Sequence, residues 1–352
     1  MTVHSHISSI AVIGAGVAGL ACARRLQSQG RIVTVFDRGF RPGGRLSVRR
    51  IPLGDRSIAY ADHGAPFFAC SDDRFRTHLQ TWIDEGICAV WNPERHVWSN
   101  EGLTPDDVQE AIFVGMPNAR SIPHYLSESL DIVGGTTVTG MNRIPAGWVL
   151  RTESRENVVL SSEPFDAVVM AAPPQQTARV FGEHSKKITS KIGCIKASPC
   201  WAHTVLVSTA DLEIPDVLRI TGDDLIELVV HENAKPGRPR YDQSSLFVVY
   251  ARAEWSASRY DSEPEAVGIA ITNRLLMLLR SITSRRVELS EFSPIAAHRW
   301  GLARTLLPLS SRCVADKESR LVACGDAYGG SGLEAAFLSG YAAAASVHSL
   351  HC

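Results

Sequence analysis

The sequence predicts an α/β protein whose two ends share one kind of architecture and whose middle is built differently. Three observations carry this. The chain opens on strand, glycine turn, helix and strand. It closes on strand, glycine-rich turn and helix. Between them, at about 76–130 and 181–300, run alternating strands, loops and one long amphipathic helix. At 352 residues there is room for roughly two domains of about 150 residues each.

The elements follow in order. "ISSIAVIG" is a short apolar run ending at glycines, the pattern of a buried parallel strand. "LACARRLQSQG" has apolar residues at helical spacing and a glycine stop at Gly30. "RIVTVFD" is a second buried strand, and the three make one βαβ unit. "GTTVTGMNRIPAGWVLRTESRENVVLSS" alternates and turns like an antiparallel meander. "FDAVVMAAPP" is a buried strand stopped by Pro173 and Pro174. "LFVVYARAEW" reads as a strand and "EPEAVGIAITNRLLMLLRSI" as an amphipathic helix. "HENAKPGRPRYDQSS" is polar and proline-rich, and reads as a solvated loop.

Composition removes several function classes. With 45% hydrophobic and 21% charged residues and a net charge of −1, the chain lacks the basic footprint of a nucleic-acid partner. The eight cysteines form no CxxC pair, which predicts neither a disulfide framework nor a zinc site but reduced thiols in a cytosol. No basic n-region opens the chain, and "EAAFLSGYAAAASV" is too short to span a bilayer, so no membrane partner is expected. The histidines are scattered. His4, His6, His348 and His351 lie at chain ends, where no metal site is expected.

"GAGVAG" sits between the first strand and the first helix, the context a dinucleotide site needs. Gly14 permits the tight turn, Gly16 lets backbone approach a pyrophosphate, and Gly19 lets helix and strand pack closely. The pyrophosphate then meets the free N–H groups of the helix start, where Val17 and Ala18 lie. Asp37 closes the second strand about twenty residues on, where a carboxylate accepts from ribose hydroxyls, and Arg38 follows it. A second glycine cradle, Gly43-Gly44-Arg45, adds a guanidinium suited to phosphate. Near the other end, "ACGDAYGGSGLEAAFLSG" places Gly325 and Asp326 before a glycine run, then a helix start at Leu333 and Glu334. Asp326 suits a ribityl hydroxyl, and the helix start offers partial positive charge to a reduced flavin. Two ends of one chain would thus hold two ends of one FAD.

"GAGVAGLACARRL…VTVFDRGFRPGGRLSVRR" resembles the signature of the flavin-containing amine oxidase superfamily. Within it the chain is most similar to the bacterial renalases. "ADHGAPFFACSDDRF", "FVGMPNARSIPHYL", "SPCWAHTVLV", "HENAKPGR", "AHRWGLARTLLP" and "CGDAYGGSGLEAAFLSG" come in that family's order over nearly the whole length. The resemblance implies a Rossmann-type FAD-binding domain assembled from 1–75, 131–180 and 301–352. A smaller α+β substrate domain with a mixed or antiparallel sheet, 76–130 and 181–300, would cover the flavin. It further implies that Val138 contacts the adenine side through its backbone and that "FVGM", with Val114, Gly115 and Met116, forms a substrate loop. The implied chemistry is hydride transfer from misplaced dihydronicotinamide isomers, 6- or 2-dihydro-NAD(P), to flavin N5, with O2 reoxidation to hydrogen peroxide.

The chain also departs from the superfamily. Amine oxidases usually carry an aromatic pair beside the flavin and a lysine near N5. Here the closing motif holds one aromatic, Tyr328, and none of Lys186, Lys187, Lys191, Lys196, Lys235 and Lys317 falls in a fitting strand. This argues against amine oxidation. Amine oxidase or desaturase activity, or a non-catalytic flavin- or NAD-binding module, remain the competing readings. Hydride loss to an aromatic pyridinium needs no acid–base pair, only a flat apolar slot. The candidates for that slot are Phe67, Phe68, Trp201, His203, His298, Trp300 and Tyr328, each of which also suits ordinary core packing. Gly64 and Ala65 suit close backbone approach to the flavin. His63 reads either as facing the flavin or, the favoured reading, as a satisfied turn histidine.

Overall fold

The computed structural model describes residues 7–52, 58–154, 158–160, 163–208, 212–239, 244–283 and 286–351. His4 and His6 lie outside them. A six-stranded sheet runs in the order Asp131–Val133, Ile32–Phe36, Ser9–Ile13, Ala167–Met170, Leu321–Ala323, Val314–Asp316. The first five strands are parallel and the last is antiparallel. Its central strands are apolar on both faces, as a sheet covered on both sides requires. One face packs on the helices Val17–Ser28 and Gly332–His348, the other on the meander strands Thr137–Ile144 and Gly147–Glu153 and the helices near 174–192. The neighbouring strands come from both ends of the chain and from its middle. The FAD-type domain is therefore assembled from separated segments.

A seven-stranded mixed sheet stands beside it, ordered Phe292–Thr305, Ala197–Val207, Ser245–Ala251, Ile226–His231, Val217–Ile220, Arg95–Ser99, Gly102–Pro105. Its neighbours are antiparallel except for the parallel pair Val217–Ile220 and Arg95–Ser99. Alternation divides its side chains between two layers. Trp201, Val205, Val207, Phe247 and Val249 face the helix Pro264–Ile282. Cys200, Ala202, Leu246, Val248 and Tyr250 face inward. The inner layer meets Ile51, Ala59 and Ala61 of the hairpin formed by Val48–Pro52 and Ile58–Asp62, which links the two sheets.

The packing corrects the expected division of the chain. Phe75, Leu79, Trp82, Cys88, Phe113, Ile122 and Leu126 pack with the opening and closing helices on the six-stranded sheet. Phe181, Ile188 and Ile192 pack on its other face. Much of 76–130 and the start of 181–300 thus belong with the parallel sheet, because their amphipathic helices bury their apolar faces there. No helix among the described residues is long and apolar enough to cross a membrane.

Candidate cofactor cradle and substrate slot

The cradle is built from both ends of the chain. Gly14 holds φ +110°, and a Cβ there would meet the Ala171 carbonyl oxygen at 2.5 Å. A Cβ at Gly19 would come within 1.8 Å of the Gly14 carbonyl oxygen, so only glycine lets this helix seat against its own turn. Gly16 is the N-cap of the Val17–Ser28 helix, with no side-chain cap and no acid in the first turn. Nothing lies within 4 Å of a Cβ built on it. Across from it, a Cβ on Gly44 would sit 3.3 Å from the Gly16 Cα, so the two glycine motifs adjoin. Asp37 stands at the sheet edge of this turn and accepts from the backbone N–H groups of Ala15 and Gly39, each at 2.6 Å. Arg38 is exposed. Val138 is buried at the start of the meander, packed with Phe36 beside Asp37.

Arg45 and Asp326, far apart in sequence, meet. An Arg45 Nη donates to Asp326 Oδ1 at 2.5 Å, and the guanidinium reaches the Ala303 carbonyl at 3.2 Å. Gly64 lies against Arg45, where a Cβ would come within 1.9 Å of the Arg45 carbonyl, and the Ala65 N–H donates to that oxygen at 2.9 Å. Gly325 holds φ +146° at the turn before Asp326. Uncapped helix N–H groups, a glycine cradle open at Gly16 and a phosphate-matching guanidinium beside a carboxylate fit FAD. Glu334 departs from its expected role. Its carboxylate accepts from Ser71 N–H, Ser71 Oγ–H and Asp72 N–H at 2.7–2.8 Å. That side chain ties the closing helix to the start of the Asp73–Asp84 helix, and only its backbone, with that of buried Leu333, remains for a cofactor.

From the cradle, the strand carrying Leu302 and Ala303 leads directly to Trp300. The Trp300 indole N–H donates to the His63 carbonyl at 2.7 Å. The His63 and Trp300 rings stack at 5.7 Å, and His298 stands edge-on to both, at 5.0 and 4.4 Å. Phe67 is half-buried beside this inner layer, edge-on to Trp91. Burial, then His298 and the positive charge of Arg49, push His63 down to about 4. Burial and Arg49 lower His298 likewise. Both imidazoles are therefore neutral near pH 7. His63 Nδ1 has no hydrogen-bond partner among the described residues, which corrects the reading of a satisfied turn histidine.

Other expected slot residues lie elsewhere. Trp201 and His203 point to the helix-covered face, because they occupy the opposite alternation phase from Cys200 and Ala202. Trp201 donates its indole N–H to the Arg259 carbonyl at 3.1 Å, and a His203 ring nitrogen pairs with Thr272 Oγ1 at 3.0 Å. Phe68 is stacked on Phe113 in the parallel-sheet core. Val114 is buried in the inner layer, and Gly115 is pinned against Asn118. A Cβ built on Gly237 would sit 3.4 Å from the Met116 side chain. Tyr328 is fully buried in the other core layer, its hydroxyl without a partner among the described residues.

The site's principal support was absent from the sequence reading. Asp62, immediately before His63, is 1% exposed and lies among Glu232, Lys235 and Arg238, all buried. Lys235 Nζ lies 3.1 Å from Asp62 and 2.5 Å from Glu232, and Arg238 pairs with Asp62. Asp62 Oδ1 accepts from the Ala119 N–H at 3.1 Å, its own N–H donates to Glu232 at 2.9 Å, and its carbonyl accepts from the Tyr250 hydroxyl at 2.7 Å. Burial pushes the Asp62 carboxyl up, but Lys235 and Arg238 outweigh it and hold it below the usual carboxylate range. Burial keeps Glu232 raised. The stretch "HENAKPGR" is thus a buried ionic plug rather than a solvated loop; residues 240–243 of the loop lie outside the described residues. No group of three or more potential metal ligands occurs among the described residues.

An NAD(P)-binding Rossmann-like domain model matches residues 12–84. A segment of 56 residues is 46% identical to lysine-specific histone demethylase 1 homolog 1 of Arabidopsis thaliana, 16% of this chain but only 7% of that protein. Over 97% of its length the chain superposes on a candidate protoporphyrinogen oxidase from Exiguobacterium sp. 255-15, covering 99% of that structure with a TM-score of 0.71 and 12% identity. Cyclohexylamine oxidase from Brevibacterium oxydans IH-35A gives a TM-score of 0.68 at 12% identity, with 98% and 99% of the two chains covered. The chain has the fold of these oxidases, built on a dinucleotide-binding Rossmann domain.

Two outcomes follow. Lys235→Met leaves two buried carboxylates sharing one cation, and is expected to cost about 3–5 kcal/mol in urea unfolding; a loss below about 1 kcal/mol would show that the cluster is not a stabilising constraint. The buried histidines give a pH dependence of known sign. Unfolded histidines bind protons below about 6.5, whereas His63 and His203, both chiefly through burial, resist protonation until about 4. Stability is therefore unaffected by them above about 6.5 and falls as pH drops toward 4. Unfolding free energies across that range should show this decline, and His203→Gln should flatten it; equal slopes in the two proteins would contradict the assignment.

Proposed function

We propose that the chain is an FAD-dependent oxidase of dihydropyridine nucleotides, acting on 6- or 2-dihydro-NAD(P), the misplaced isomers of the reduced nicotinamide cofactors. The observation that supports this reading is a cluster of three rings, its imidazoles neutral, contiguous with the cradle. His63, His298 and Trp300 form three mutually packed rings, and the strand that carries Trp300 also gives carbonyls to Arg45. FAD, held by the cradle, would supply a two-electron acceptor at N5, with O2 as the final acceptor and hydrogen peroxide as its product.

The chain's own residues have two tasks. Gly14, Gly16, Gly19, Asp37, Gly43, Gly44, Arg45 and Asp326 hold the dinucleotide, with Gly64 and Ala65 letting backbone approach it. His63, His298 and Trp300 present flat surfaces that orient a planar ring and displace water. The donor becomes an aromatic pyridinium when its C–H bond breaks and the hydride leaves, so no side chain must take a proton. This agrees with imidazoles held neutral and with Lys235, the buried lysine closest to the slot, being committed to carboxylates. The discrimination between isomers is positional, and a misplacement of about 1 Å can cost roughly a hundredfold in rate.

The fold shared with cyclohexylamine oxidase favours a second reading, amine oxidation. One experiment separates the two: anaerobic stopped-flow of the flavin-loaded protein with the separated dihydro isomers of NAD and with primary and secondary amines. Rapid bleaching by the 2- or 6-isomer, slow bleaching by ordinary NADH, no bleaching by amines and peroxide on readmitting oxygen are expected. Equal rates with all isomers, or bleaching by amines alone, would remove the proposed activity.

A further inference from the structure

Beside these rings stands a charge, that of Arg49, without a partner among the described residues. Arg49 stands opposite Ala61 in the hairpin register. Strand alternation therefore puts its side chain on the face that Ile51, Ala59 and Ala61 turn toward the inner layer of the seven-stranded sheet. There it is half-buried, next to the layer from which Trp300 and His298 project. Among the described residues its guanidinium makes no ion pair and no hydrogen bond. Its positive charge, after burial and, for His63, after His298, disfavours the protonated form of both His63 and His298. The Asp62 carboxylate, next to His63 in the chain, is already held by Lys235 and Arg238. Arg45, the other guanidinium of this region, is paired with Asp326.

A half-desolvated guanidinium without a carboxylate, beside neutral imidazoles that can donate N–H, is a receptor for an anion and repels a cation. A protonated amine would meet the like charge of Arg49 here. We propose that Arg49 determines substrate class, by binding a phosphate of a nucleotide donor whose ring lies against His63, His298 and Trp300. The inference rests on the proposed dihydropyridine nucleotide reading and names the residue that recognises the nucleotide part. Arg49 acts on binding, not on the hydride step.

The test is binding to the flavin-loaded protein, followed by perturbation of the flavin absorption band. NAD+ is the phosphate-bearing probe and nicotinamide riboside the phosphate-free one. Arg49→Gln is expected to weaken NAD+ binding by about ten- to a hundredfold, the loss of one charge-assisted partner, while riboside binding and flavin content stay unchanged. Arg49→Lys, which keeps the charge but loses the fork, should fall between. The proposal is overturned if NAD+ does not bind the wild type, if it binds wild type and R49Q alike, if riboside binding falls equally, or if R49Q loses its flavin, which would make Arg49 part of the cofactor cradle. Turnover of the dihydro isomers is scored separately. Wild type that binds NAD+ through Arg49 yet oxidises no isomer would leave this inference standing and remove the activity it was built on.

Discussion

The buried charge cluster around Asp62 is the constraint on which the rest of the site depends. Four ionisable side chains taken out of water cost several kcal/mol each unless every one is answered. Here Asp62 is answered by Lys235 and Arg238, Glu232 by Lys235, and the remaining acceptor capacity by backbone N–H groups. The geometry satisfying all four is narrow. It joins the hairpin strand Ile58–Asp62, the backbone at Ala119, the Glu232–Ala234 turn and Tyr250 of the seven-stranded sheet. His63 and Gly64 follow Asp62 directly, so the plug fixes where the slot ring and the backbone approach to the cradle must lie.

The second fixed point is Arg45 with Asp326. A sheet in which the opening strand Ser9–Ile13 and the closing strand Leu321–Ala323 flank Ala167–Met170 in parallel brings the glycine motif of the first turn and the acid after the last strand to one edge. Ligands of α/β sheets bind beyond the carboxyl ends of the strands, and this edge is such a place. Between the two fixed points lie neutral rings and Arg49, whose guanidinium has no partner among the described residues. That combination suits positioning of a flat, negatively charged donor more than proton transfer.

The parts of this arrangement visible in sequence are the local ones. Gly14, Gly16, Gly19 and Asp37 are read from spacing, because turn, helix start and strand end are each set by a few neighbouring residues. The strands of the parallel sheet are readable for the same reason, as short apolar runs bounded by glycine and proline. What escaped is non-local. Lys235 and Asp62 are 173 residues apart, and a polar, proline-rich stretch has the composition of a solvated loop until its partners are in place. Trp201 and His203 lie on a strand whose alternation is readable, but which face meets the helix and which meets the cradle is decided by the other sheet. Glu334 sits at a helix start like a cofactor contact, yet its carboxylate is taken by Ser71 and Asp72. Helices near 76–84 and 186–192 went to the other layer because periodicity gives the apolar face of a helix without naming what covers it.

All of this presumes a single ligand gripped by both ends of the chain. The most direct measurement is the visible spectrum of the purified protein, followed by denaturation and identification of what is released. A flavin band, with FAD released in stoichiometric amount and little free riboflavin or FMN, is the result this account predicts. A colourless protein that takes up NAD but retains no flavin when FAD is supplied would contradict it, since the Gly43-Gly44-Arg45 cradle and Asp326 would then have no common ligand.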